Sequence, residues 1–193
     1  MDCTSIINSL DVCEGAPQLS GIRKRAWIAN VADIVKFATL PKDENRRVTD
    51  SVLVGDFVLK ADKKWKYIEF NPDTSQANSD PEGEAPSQLQ VNKLSLVHPG
   101  VDERATAMAA AFNNSNVIVI WQDMTGHYRV CGANLYRNKM TVTQDNGQGP
   151  TGTPQTTFAM EARDYIPHPF YKGTLETEDG TLDCSTDAID EKP

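Results

Sequence analysis

The chain has no run approaching the roughly 18 apolar residues that a membrane-spanning helix needs. Its opening stretch, MDCTSIINSL, has no basic segment leading into a sustained apolar region, so no secretory signal is expected. The expectation is a protein made and kept in the cytosol, with no membrane partner. Cysteine is scarce: Cys3, Cys13, Cys131 and Cys184 are the only four, and no two have the close spacing of a zinc knuckle. In a reducing cytosol they read as free thiols, with Cys131 buried. Histidine is scarcer, and His98 and His168 each precede a proline, which suits packing or surface groups at extended or turning backbone better than metal ligands. Walker loop, dinucleotide-binding glycine fingerprint, nucleophile elbow and H-E-x-x-H motif are all missing. No catalytic, cofactor-binding or metal-ligating residue is therefore assigned, and the chain is not expected to be an enzyme. A net charge of −8 argues against binding nucleic acid by phosphate neutralisation.

The stretch Asn116 to Leu135, NVIVIWQDMTGHYRVCGANL, concentrates the reactive side chains that are present. Asp123, His127 and Cys131 recur at four-residue intervals, and on a helix they would share a face as an acid, a base and a thiol. The local signals point elsewhere. Val117 to Trp121 is β-branched and aromatic, Thr125-Gly126 is a turn signal, and Tyr128 to Cys131 resumes extended character, so a β-hairpin is expected. On strands the three side chains separate, with Asp123 in or beside the turn.

Before the hairpin, IRKRAWIAN alternates Ile22, Lys24, Ala26, Ile28 with Arg23, Arg25, Trp27, Ala29 and reads as a strand, after which Asn30 can cap one helical turn. Arg23, Lys24 and Arg25 suit a solvated or intersubunit face better than a phosphate site. One or two strands follow before Asn71-Pro72, and QLQVNKLSLVHPG is a strand stopped by Pro99 and Gly100. The one convincing helix is VDERATAMAAAFNN, with acids in its first turn and a stripe of Val101, Ala105, Met108 and Phe112 expected against the sheet carrying Ile118, Ile120 and Val130. NKMTVTQ and QTTFAMEARDY are further strands; in the second, Phe158, Met160 and Ala162 alternate with Thr157, Ala159, Glu161 and Arg163. Three segments read as unstructured on their own: an N-terminal arm (1–20), a polar loop (71–87) and an acidic tail (173–193). The tail holds seven acids, Glu176, Glu178, Asp179, Asp183, Asp187, Asp190 and Glu191, against one lysine, Lys192. The domain between arm and tail, 21–172, is thus expected to be single and mainly β: a β-sandwich or barrel with one packing α-helix, an extended N-terminal arm and long loops.

Two blocks, CEGAPQLSGIRKRAWIANVADI and the run from DERATAMAAAF through NVIVIWQD and HYRVCG to KMTVTQDNGQGPTGTPQTTFAMEARDYIPHPF, resemble tail tube subunits of tailed bacteriophages, in particular those of Bacteroidetes phages. The likeness spans roughly Cys13 to Phe170 and rests on element order. It implies a structural virion protein that forms hexameric rings, stacked into a conduit that DNA passes through without specific binding. Its implied partners are further copies of itself and other phage tail proteins; its implied place is the virion tail, after synthesis in the host cytoplasm; no cofactor is implied. Another virion structural protein such as a head-tail connector or tail terminator ring, or an uncharacterised binding module, stands as the alternative.

Overall fold

The computed structural model describes residues 10, 14–15 and 17–190. Most of the expected N-terminal arm, with Cys3 and Cys13, lies outside the described residues. The fold is mainly β, sandwich-like, with a single α-helix among the described residues. Its central layer is a five-stranded sheet built around β1 (Ile22–Asn30), which pairs antiparallel with β4 (Lys66–Glu69) on one side and β7 (Val117–Asp123) on the other. The sheet continues through β8 (Tyr128–Cys131) to β11 (Phe170–Tyr171). Between β1 and β4 the chain makes an excursion that carries β2 (Ile34–Lys36) and β3 (Val58–Leu59). Asn30 caps the one-turn 3-10 helix before β2, its side-chain oxygen accepting the Ala32 N–H at 3.0 Å, as its position at the strand end predicts.

A four-stranded antiparallel sheet covers one face of this layer, in the order β5 (Gln76–Glu82), β6 (Leu89–Pro99), β10 (Gln155–Asp164), β9 (Lys139–Asp145). The period-2 pattern read from QTTFAMEARDY holds: Phe158, Met160 and Ala162 face inward, opposite Leu96, Leu94 and Asn92 of β6. Together with Ile22, Ala26, Ile28, Val117, Val119, Trp121 and Cys131 they form the first core. The other face of the five-stranded sheet contributes Trp27, Ala29, Ile118, Ile120, Tyr128 and Val130 to a second core, closed by Phe57 and Trp65 of the excursion and by Leu175, Leu182 and Cys184. The central layer is thus buried on both sides.

The helix α1 (Glu103–Phe112) begins where expected, with the Asp102 carboxylate accepting the Ala105 N–H at 2.6 Å. Ala105 is buried, while Met108 and Phe112 are partly buried against the first core, Phe112 edge-on to Phe158. The stripe therefore packs on the first core, to which Val117 and Val119 belong, and not on Ile118, Ile120 and Val130. A strand alternates its faces, so those three residues belong to the second core.

Two segments expected to lack structure are ordered. Within the supposed 71–87 loop, β5 pairs residue by residue with β6, from Gln76 opposite Ser95 to Glu82 opposite Leu89. The polar composition reflects an edge strand, whose side chains stay wet while its backbone joins a ladder. Within the supposed 173–193 tail, β12 (Thr174–Glu176), β13 (Thr181–Asp183) and β14 (Ala188–Asp190) form a three-stranded meander. Leu175 and Leu182, cross-strand partners with 0% and 2% exposure, anchor it in the second core. Replacing Leu182 with alanine should therefore lower the unfolding free energy by about 2–5 kcal/mol, a core value rather than a tail value. Urea denaturation measures it, and a loss well under about 1 kcal/mol would detach the meander from the core.

Candidate functional site

At the tip of the β7–β8 hairpin the Asp123 carboxylate organises the turn. One oxygen accepts the His127 N–H at 3.0 Å and the Thr125 hydroxyl; the other accepts Arg129 Nε at 3.1 Å. Burial pushes this carboxyl up, but the hydrogen bonds outweigh it and hold the group below the ordinary aspartate range. His127 is exposed and lies edge-on to Phe170. Cys131 is 0% exposed, its Sγ lying 3.7 Å from the Asn92 carbonyl oxygen in the first core, and burial drives its thiol upward. The hairpin thus brings Asp123 and His127 together at its tip, with His127 Nδ1 3.8 Å from the Asp123 carboxylate and Thr125 between them, but leaves Cys131 apart in the core. The other histidines are hydrogen-bonded to backbone: His98 Nδ1–H donates to the Glu69 carbonyl at 2.7 Å, and buried His168 Nε2–H donates to Asn78 at 3.0 Å. Among the described residues no group of three or more His, Cys, Asp or Glu is placed to hold a metal ion.

Two basic residues of β1, Arg23 and Arg25, pair with acids of the same chain. Arg23 and Arg25 project on the face that carries Trp27, where the C-terminal meander lies. Arg23 pairs with Asp187 at 3.0 Å; Arg25 pairs with Glu69 at 2.7 Å and Asp179 at 3.6 Å; Lys66 pairs with Glu178. The solvated face expected for Arg23, Lys24 and Arg25 is present, with Arg23 and Lys24 exposed, and the acidic segment folds back to pair with Arg23 and Arg25 at its surface.

The arrangement with the clearest chemical potential is a cleft of about 430 Å³ between the excursion, the loop after β8 and the end of β10. Its walls are Phe37, Leu40, Leu53, Phe57, Ile118, Leu135 and Tyr165, with Thr39, Lys42, Asn134 and Asp164 among its polar lining. The wall at Gly132 needs glycine: φ is +118°, and a Cβ there would lie 2.9 Å from Met160 Cε. Buried Asn138 ties the same loop down, donating to the Val117 carbonyl at 2.9 Å and accepting the Ala133 N–H at 3.3 Å.

Asp164 lies at the end of the inward row Phe158, Met160, Ala162, where apolar packing gives way to the cleft. It is 4% exposed, and one carboxylate oxygen accepts the Tyr165 N–H at 2.7 Å. Among the described residues no cation stands within 4.0 Å of it; the Lys42 ammonium instead lies 3.7 Å above the Tyr165 ring. Burial pushes the Asp164 carboxyl up to about 6, partly opposed by the Tyr165 N–H and the charge of Lys42. No sequence motif marks this residue, but the alternation that identifies Phe158, Met160 and Ala162 leads to it in one further step. No family model matches the chain, and no curated protein or solved structure matches it either. No helix among the described residues is long and apolar enough to cross a membrane.

The raised value has a thermodynamic consequence. Unfolded, Asp164 titrates near 3.8; folded, near 6, so between these values the native state holds more protons than the unfolded state. Its stabilising contribution is complete below the unfolded value and is lost as pH rises through the folded one. Asp164→Asn removes this loss. From pH 4.5 to 7.5 the variant should gain on the wild type by about 2 kcal/mol, since each unit of pKa difference is worth about 1.36 kcal/mol. Paired urea titrations across that range check it, and the difference between the two proteins cancels the carboxylates they share.

Proposed function

We propose that the chain is a structural subunit of a phage tail tube, assembling with copies of itself into stacked, hexameric rings that form a conduit for DNA. The observation that carries this reading is the edge of the four-stranded sheet. β5 pairs with β6 on one side and, among the described residues, with no strand on the other. A seven-residue strand edge left open invites pairing with a neighbouring chain, and a ring of such contacts closes every edge it uses. The sandwich with one packing helix is also the architecture that the resemblance to tail tube subunits implies. A net charge of −8 suits a wall that DNA passes without adhering. In this reading the chain has no catalytic role, its place is the virion tail, and its partners are further subunits and other tail proteins. A connector or terminator ring would use the same edge with a different neighbour. The cleft at Asp164 favours a second reading, a ligand-binding module, which would work as a discrete monomer.

Pro81 permits a clean test of the edge. A proline inside a ladder has its missing N–H directed away from the partner strand, and Ser79, two residues earlier, points the same way. Ser79→Pro should therefore spare the β5–β6 ladder and remove an outward donor. Wild-type protein at high concentration should form rings or tubes in negative-stain micrographs. The variant should keep a melting temperature within a few degrees of wild type yet stay monomeric in sedimentation. Wild-type monomers at every concentration would overturn the assembly reading, and a variant that still assembles would overturn the role of this edge.

A further inference from the structure

The cleft at the end of β10 combines features that a folded chain does not keep for packing. Its apolar walls, Phe37, Leu40, Leu53, Phe57, Ile118 and Leu135, enclose about 430 Å³, within the range of small-molecule sites. Its polar lining includes a carboxyl group almost fully withdrawn from solvent and, among the described residues, without an ion-pair partner. An ionised aspartate can only accept hydrogen bonds, and one in apolar surroundings gains most from a donor that also carries positive charge. The aromatic side chains Phe37, Phe57 and Tyr165 in the lining suit the same ligand, because aromatic rings attract cations as well as apolar bodies. Lys42, resting on Tyr165, shows that ring already holding an ammonium group.

We propose that this cleft is a binding site for a small organic cation, an ammonium or amidinium group on an apolar body, with the Asp164 carboxylate as its anchor. The site is independent of the assembly reading, since it requires neither a second copy nor an open strand edge. At pH 7.5 the carboxyl, pushed up to about 6, is ionised and able to pair. Lys42 competes with the ligand for the same negative charge and the same ring, so its removal strengthens binding.

The test uses the full chain with tryptamine as cationic probe and indole-3-propionate as anionic counterpart on the same apolar body. Titrations at pH 7.5 are followed by amide shifts in nuclear magnetic resonance. Tryptamine is expected to give saturable shifts confined to Gly132, Ala133, Asn134, Tyr165 and their neighbours, while indole-3-propionate gives none there. Asp164→Asn should weaken tryptamine roughly tenfold or more, as expected for loss of a desolvated charge-assisted bond. Lys42→Ala should tighten it severalfold, and Ala133→Phe, which adds bulk to the cleft lining, should abolish it. Non-saturable tryptamine shifts, equal binding of the two probes, or loss of binding in Lys42→Ala would each overturn the proposal. The two probes are compared on wild-type protein, so their difference is decisive even where a variant folds poorly.

Discussion

The constraint on which the rest of this molecule depends is the burial of β7 on both faces. Val117, Ile118, Val119 and Ile120 are each 0% exposed, and their side chains alternate between two separate cores. A sheet apolar on one face needs one covering layer; a sheet apolar on both needs two. The four-stranded sheet provides the first. The second is assembled from pieces distant in sequence: the excursion after β1, with Phe57 and Trp65, and the C-terminal meander, with Leu175, Leu182 and Cys184. Each large side chain withdrawn from water contributes about 1.5–3 kcal/mol, enough to order segments that have little internal reason to fold.

Electrostatics selects how the second layer sits, and it does so with weak bonds. The pairs from Arg23, Arg25 and Lys66 to Asp187, Asp179 and Glu178 join partners that are substantially solvated. Exposed pairs of this kind contribute about 0–1 kcal/mol each, so they do not hold the meander down. They do discriminate. An acidic segment is repelled by an acidic surface, and the end of β1 beside β4 offers a cluster of cations where the segment lands. The Tyr128 hydroxyl adds directionality by donating to Asp187. Apolar burial thus fixes that the segment docks, while charge fixes where.

The same division explains what could be read from the sequence. The β7–β8 hairpin, the alternation of β10 and the start of α1 at Asp102 are set by local signals: β-branched runs, a Thr-Gly turn, a capping carboxylate. The unbroken apolar run from Val117 to Trp121 also carried the two-sided burial, since a half-exposed strand would alternate. The polar strand β5 and the C-terminal meander were not legible, because their order comes from partners elsewhere. β5 is held by the ladder of β6, and the meander by two leucines whose acidic neighbours dominate a compositional reading. Arg23 and Arg25 looked available for a partner only because Asp187 and Asp179, more than 150 residues away, are invisible in a local window. Cys131 was legible as a buried thiol; Asp164 was not singled out, although its parity follows from Phe158, Met160 and Ala162.

Asp164 is also where stability and purpose part company. Every other inward position of β10 is uncharged, and an asparagine of nearly the same shape would fill this one without the cost of ionisation in apolar surroundings. A chain under pressure only to fold gains nothing from the carboxylate. The nearest compensating charge, Lys42, lies on the Tyr165 ring and not on the acid, so no ion pair offsets the cost. Uncompensated groups of this kind gather at sites that act on something outside the fold. The open edge of β5 has a similar logic, since its unpaired backbone gains its partners only from another chain. The open ladder at β5 and the charge in the cleft each point to the chemistry of what would complete them: backbone donors and acceptors for the first, a cation on an apolar body for the second.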